Sequence, residues 1–116
     1  DEDYFIYYEE ADYCYKVGKA GYKLLLVPKA KVWHKISLSS GGSESPFTKY
    51  QMAKNSVLFY RKNAAWWQWF FIIPWRFGSA LKTTLHLVGL RKWDCIQSYW
   101  RGLGDGMRMH LSWTSS

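Results

Sequence analysis

Tyr7-Tyr8-Glu9-Glu10-Ala11-Asp12-Tyr13-Cys14-Tyr15-Lys16, followed by Val27-Pro28-Lys29-Ala30-Lys31-Val32-Trp33-His34, is the part of the chain whose reading decides the fold. The first piece sets Glu9, Glu10 and Asp12 at the start of a short amphipathic segment. It reads as a helix over 9–20 with Gly21 just past its C-cap. Ala11, Cys14, Tyr15 and Gly18 fall at i, i+3, i+4 and i+7 and predict the inward face. Asp12, Lys16 and Lys19 fall on the other side, with Asp12 and Lys16 spaced for an ion pair. Residues 4–8 read as a strand or extended loop, and 22–27 and 31–34 as strands that Pro28 separates. Carboxylates at a helix start and a histidine at a strand end are two parts of a possible active site. The predicted class is therefore α/β.

Outward from this stretch, the 116 residues allow one modest core. Aromatic residues make up 20% of the chain, the formal charge is +7, and the mean hydropathy is −0.32. Asp1, Glu2, Asp3, Glu9, Glu10 and Asp12 carry most of the acid. Beyond Asp12 only Glu44, Asp94 and Asp105 stand against all 16 Lys and Arg. An acidic head on a basic, Trp-rich body points to an anionic partner. Cys14 and Cys95 are spaced for neither a metal knuckle nor a redox pair. Cys14 is expected as a buried free thiol, in keeping with a reducing compartment. The start lacks the basic-then-apolar run of a signal peptide, and Asp1 reads as a cut inside a longer protein.

Residues 37–45 are rich in Ser and Gly and read as a mobile loop. Ser45-Pro46 reads as an N-cap and first helical position. The helix that follows, over 47–62, is expected to turn Phe47, Tyr50, Ala53, Val57, Leu58 and Tyr60 inward. Trp66-Trp67-Gln68-Trp69-Phe70-Phe71-Ile72-Ile73-Pro74-Trp75 is the most apolar run. It is shorter than the ~20 residues a membrane span requires, and Arg76 and Lys82 end it. Two further helices are expected over 81–90 and 94–107. The division is thus 1–63 and a basic, helical, Trp-rich tail over 64–116.

Taken alone, first-turn acids are most often helix caps, and a histidine at a strand end is most often structural. A Glu in the first turn also suits a general base, because free N–H groups and the helix dipole favour its ionised form. His34, ringed by Lys29, Lys31 and Lys35, suits a phosphate-bearing ligand or a divalent metal.

Asp1-Glu2-Asp3-Tyr4-Phe5-Ile6-Tyr7-Tyr8-Glu9-Glu10-Ala11-Asp12-Tyr13-Cys14, Ala20-Gly21-Tyr22-Lys23 and Val27-Pro28-Lys29-Ala30-Lys31-Val32-Trp33-His34, in this order, resemble the C-terminal part of the catalytic domain of family 2 glycosyltransferases. These are GT-A type (nucleotide-diphospho-sugar transferase) enzymes, and the likeness is to their rhamnosyltransferase-like group. It continues through Ser45-Pro46-Phe47, Tyr50 and Lys54-Asn55-Ser56-Val57-Leu58-Phe59-Tyr60-Arg61-Lys62-Asn63, and Arg101-Gly102-Leu103-Gly104-Asp105-Gly106 resembles the tail. The resemblance implies inverting transfer of a sugar from a nucleotide-diphosphate donor to an acceptor hydroxyl, in synthesis of a cell-surface polysaccharide or lipid-linked saccharide. It places the general base on Glu10, with Glu9 open for the same role, and acceptor contacts on Asp3 and Asp12. His34 would hold a divalent metal (Mg or Mn) or the donor diphosphate. Lys35, Ser39 and Ser40 would belong to the diphosphate site or to a flap over it.

The family's nucleotide-binding half, with its Asp-x-Asp motif, has no counterpart in the sequence. The chain is therefore expected to be inactive alone, and the metal is expected only with that half. Trp clusters among basic residues predict helices lying in the interface of an anionic membrane, on its cytoplasmic face, within reach of a lipid-linked acceptor. The rival readings are a small basic nucleic-acid-binding module and a plain membrane-surface anchor. The first is disfavoured because the aromatics cluster in apolar runs instead of alternating with basic residues.

Overall fold

The computed structural model describes residues 1–33 and 41–111. Those residues form four helices: α1 (Glu9–Lys19), α2 (Pro46–Asn63), α3 (Trp69–Gly89) and α4 (Trp93–Arg108), with a 3₁₀ turn at Trp66–Gln68 leading into α3. No strand is present among them, so the α/β expectation is overturned and the described fold is all-helical. Residues 4–8 form a bent approach to α1, and 22–33 run without regular structure. Leu25, Leu26 and Trp33 are 83%, 90% and 95% exposed. Apolar, β-branched sequence makes a strand only when a neighbour accepts its backbone hydrogen bonds, and none lies beside this segment among the described residues.

Where helices were expected, local chemistry accounts for their ends. α1 closes in a Schellman arrangement: Tyr22 N–H reaches Val17 O (3.2 Å), Gly21 N–H reaches Gly18 O (3.1 Å), and Gly21 takes φ 91°. Ser45 Oγ accepts from Thr48 N–H (3.1 Å), with Pro46 at the first helical position of α2. α3 departs from the sequence reading. It is one helix from Trp69, running through Pro74 and Arg76, where the sequence suggested a break and a new start at 81. Pro74 lies in the second turn, so its missing N–H removes one bond, to the carbonyl of the exposed Phe70.

The chain packs around α2. Its inner face holds Ala53, Val57 and Leu58 as expected, but Phe47 is 41% exposed and Tyr50 and Tyr60 are half-buried. Thr48, Gln51, Asn55 and Ser56 are buried in their place. Small and polar residues line α2 because α4 comes close to its backbone. A Cβ on Gly102 would lie 2.3 Å from Tyr50 O, and one on Gly106 would lie 2.7 Å from Lys54 O. The two glycines, one helical turn apart, are what permit the crossing. Arg61 Nη1 donates to Gly106 O and Met109 O, both at 2.8 Å, and so caps the C-terminus of α4. The Tyr50 hydroxyl donates to Asp105 Oδ2 (2.8 Å). α3 adds Ala80 to a small core with Ala53 and Tyr99, and Trp100 Nε1 donates to Thr84 Oγ1 (3.2 Å).

The core is small for the chain. The radius of gyration is 15.7 Å, against ~13 Å for a compact domain of this length. Much of α3 is uncovered: Phe70, Phe71, Trp75, Phe77, Leu81 and Leu85 are all exposed. Both cysteines are free. Cys14 is exposed, against the expectation of a buried thiol, and Cys95 is buried with its Sγ donating to Glu44 O (3.0 Å).

The α2–α4 crossing yields a direct expectation. Gly102→Ala forces a methyl against Tyr50 O and should cost about 1–3 kcal/mol, lowering the thermal midpoint by roughly 5–10 °C. Gly104→Ala in the same helix meets nothing within 4 Å and should be neutral or stabilising by up to ~1 kcal/mol. Thermal unfolding followed by circular dichroism of the two variants checks this. Equal effects would mean the crossing is not close.

Candidate functional site: an acidic head docked on α2

The acidic head is held down by α2. Asn55, fully buried, donates from Nδ2 to Ile6 O (2.6 Å) and Tyr7 O (3.1 Å). Tyr7 and Tyr8 both take left-handed backbone angles, φ 67° and 70°. Such angles cost of order 1–2 kcal/mol per residue without glycine, and the Asn55 amide offsets this by fixing the carbonyls on either side of the Ile6–Tyr7 step. Tyr8 is the N-cap of α1 and offers no side-chain cap, so the helix start carries only its own acids. Phe59 of α2 packs against the rings of Tyr8 (5.9 Å) and Tyr15 (6.0 Å).

The helix is rotated relative to the sequence expectation. Ala11, Cys14, Tyr15 and Gly18 are exposed, and Asp12 is buried at 2% exposure. Asp12 Oδ1 accepts from Asn63 Nδ2 (2.9 Å) and from the Tyr4 hydroxyl (3.5 Å), while Oδ2 meets Lys16 Nζ (2.6 Å). The i,i+4 ion pair exists as expected, but on the inner side. Burial by itself pushes the Asp12 carboxyl up. Hydrogen bonds from Lys16 and Asn63, with the charges of Lys16 and Lys62, outweigh it and hold the carboxyl below the usual range. Burial, and then the neighbouring Asp12 charge, push the Tyr4 phenol well above its ordinary value, so it stays a donor. Lys62 ties down the rest of the head through Asp1 Oδ2 (2.7 Å) and Asp3 Oδ2.

The candidate residues therefore separate. Asp12 and Asp3 are engaged in the seam between head and α2. Glu9 and Glu10 stand exposed on the first turn of α1. His34, Lys35, Ser39 and Ser40 lie outside the described residues, so the expected meeting of Glu10 with His34 does too. Among the described residues no three His, Cys, Asp or Glu side chains gather as a metal set. Asp1, Asp3 and Asp12 are each paired with a lysine. Two positioning residues carried no role in the sequence reading. Asn55 is buried and Asn63 partly buried on α2, and no signal in the sequence marked either for this role.

No family model matches the chain, and no solved structure matches it. Curated proteins do. The chain is 27% identical over 88 residues, 76% of its length, to N-acetylglucosaminyl-diphospho-decaprenol L-rhamnosyltransferase of Mycobacterium tuberculosis (strain CDC 1551 / Oshkosh). The same figures hold for the protein of that name in strain ATCC 25618 / H37Rv. The match covers 28% of each relative's length. The chain thus has a distant, partial similarity to a family 2 glycosyltransferase, the class to which the motifs pointed.

The Asp12 seam makes stability depend on pH. A carboxyl whose folded pKa is lowered contributes above its unfolded value, and the contribution is lost as pH falls through the folded one. Denaturant unfolding should therefore show stability declining below about pH 4. Asp12→Asn should cost ~1–2 kcal/mol near pH 7 and flatten that decline. An unchanged acid profile in the variant would contradict the seam.

Proposed function

We propose that this chain is part of a glycosyltransferase, with Glu10 or its neighbour Glu9 as the base that takes the proton of the acceptor hydroxyl. As the oxygen attacks the anomeric carbon of the donor sugar, the bond to the nucleotide diphosphate breaks and the proton passes to the carboxylate. The observation that carries this reading is the division of labour among the head's acids. Asp3 and Asp12 are tied to lysines and an asparagine, while Glu9 and Glu10 are held out at an uncapped helix start by a strained Tyr7–Tyr8 approach. A carboxylate placed there is exposed and reachable by substrate. Strain at such a position is characteristic of functional sites.

The similarity to a rhamnosyltransferase supports a saccharide acceptor carried on a polyprenyl diphosphate. Donor binding and any divalent metal belong to parts of the enzyme outside the described residues, and the chain is expected to need them for turnover. In this reading residues 1–63 serve the acceptor and 64–116 the membrane surface. No helix among the described residues is long and apolar enough to cross a membrane. The exposed aromatic side of α3, with Lys82, Arg91 and Lys92 near it, supports contact with an anionic bilayer surface on the cytoplasmic face.

The test uses the full-length enzyme on anionic vesicles. Glu10→Gln or Glu9→Gln, whichever is the base, should lower kcat by about 10²–10⁴-fold with little change in KM, and the other should have a smaller effect. The protein should co-sediment with the vesicles and leave them at high salt. Full activity in both variants would remove the proposed base, and absence of sedimentation would remove the membrane contact.

A further inference from the structure

Arg76 of α3 separates two hollows. On one side is an apolar cavity of about 410 Å³, walled by Val57 of α2, Ile72 and Phe77 of α3, and Trp100, Leu103 and Met107 of α4. On the other is a smaller, more polar hollow of about 220 Å³, walled by Tyr8, Lys49, Ser56, Thr83 and Tyr99 together with the apolar Met52 and Ala53. Arg76 lines both. Its Nη2 is buried and has no hydrogen-bond partner. A guanidinium cannot shed its proton to relieve this, and a buried donor on a cation with no acceptor is costly. Arg76 forms no ion pair among the described residues, whereas the other cation of the polar hollow, Lys49, is shared with Glu44 at 3.1 Å.

The two hollows ask for different chemistry from one occupant. The polar side presents cations, hydroxyls and the phenol of Tyr8, the residue immediately before Glu9. Burial, with the nearby Tyr60, raises that phenol's pKa, while the Arg76 charge and Ser56 pull the other way, so it remains a donor. The apolar side is lined by aliphatic and aromatic side chains and the Met107 thioether, with Arg76 its one charged group and Tyr60 adding a phenol, and it continues onto the exposed part of α3 at Ile73 and Phe77. A free anion would satisfy Arg76 and leave the cavity unfilled. A neutral hydrocarbon would fill the cavity and leave Arg76 unpaired.

We propose that Arg76 anchors the phosphate of a prenyl (di)phosphate lipid, whose first isoprene units lie in the apolar cavity between α2, α3 and α4. The head group bonds to Arg76 on the side facing Tyr8 and Lys49, and the chain runs out along α3 toward the bilayer. This deepens the acceptor reading above and rests on it. It puts the carrier's diphosphate on the same wall as Tyr8, so that the attached saccharide extends toward the start of α1.

Trp69 and Trp100 line the cavity and report occupancy. Tryptophan emission of the whole chain is titrated with geranylgeranyl diphosphate, with geranylgeraniol and with inorganic pyrophosphate. The diphosphate lipid should bind and shift the emission. The alcohol should bind at least tenfold more weakly, and pyrophosphate should leave the emission unchanged. Arg76→Gln should weaken lipid binding at least tenfold, and Arg76→Lys by less. Leu103→Phe, which narrows the cavity without touching the charge, should weaken the lipid as well. Thermal melting checks that each variant is folded. Equal lipid affinity in Arg76→Gln, or an unaltered response in folded Leu103→Phe, overturns the proposal. So does pyrophosphate binding as tightly as the lipid. Because the readout is binding, it stands apart from the transfer reading. Lipid binding that persists alongside fully active Glu9 and Glu10 variants would sink the proposed base and leave the lipid site intact.

Discussion

The carboxylate of Asp12 is buried where α1 meets α2, and the placement of everything N-terminal to it depends on its being held there. α1 is only 11 residues long, too short to be stable in isolation, and its solvent side is nearly continuous. What fixes it is a few side chains reaching across: Asn63 and Lys16 to Asp12, Tyr15 to Asn63 O (3.0 Å), and Asn55 to the approach strained at Tyr7 and Tyr8. Charge removed from water in this way is favourable only when each oxygen is satisfied, and both oxygens of Asp12 are. The price of orienting Glu9 and Glu10 outward is thus met by their neighbours in sequence.

α2 carries two duties on different parts of its surface. Toward α4 it presents Ala53 and Val57, with the carbonyls of Tyr50 and Lys54 left open to approach by Gly102 and Gly106. Toward the head it presents Asn55, Phe59 and Asn63. A helix serving both cannot be uniformly apolar, which is why its buried side is so polar. α3 is tied to this pair lightly, through Ala80 in the small core and the Trp100–Thr84 hydrogen bond, and keeps most of its aromatic surface outside. That surface and the cavity beneath it give the described fold an apolar side as well as an acidic head.

Helices were legible in the sequence wherever ends are marked by local chemistry, as at Gly21, Ser45 and Pro46. They were less legible where the mark misleads: Pro74 reads as a stop, yet in a second turn it costs one bond. The strands at 22–27 and 31–34 were read from composition, and composition does not supply a partner to pair with. The inward face of α1 failed for a related reason. An apolar stripe was assumed to point inward, but Asp12 has specific partners on α2 that Cys14 and Gly18 lack. The first-turn position of Glu9 and Glu10 on α1 was legible in the sequence. Asn55, Asn63 and Arg76 were not, because a buried amide or guanidinium acquires its meaning only from what tertiary packing places beside it.

A double-mutant cycle between Asp12 and Asn63, read by chemical denaturation at neutral pH, tests the docked head most directly. The 2.9 Å bond between their side chains, at a carboxylate that is 2% exposed, predicts a coupling of about 1 kcal/mol or more between Asp12→Ala and Asn63→Ala. Strict additivity of the two substitutions would mean that α1 is not seated on α2, and the outward presentation of Glu9 and Glu10 would lose its physical basis.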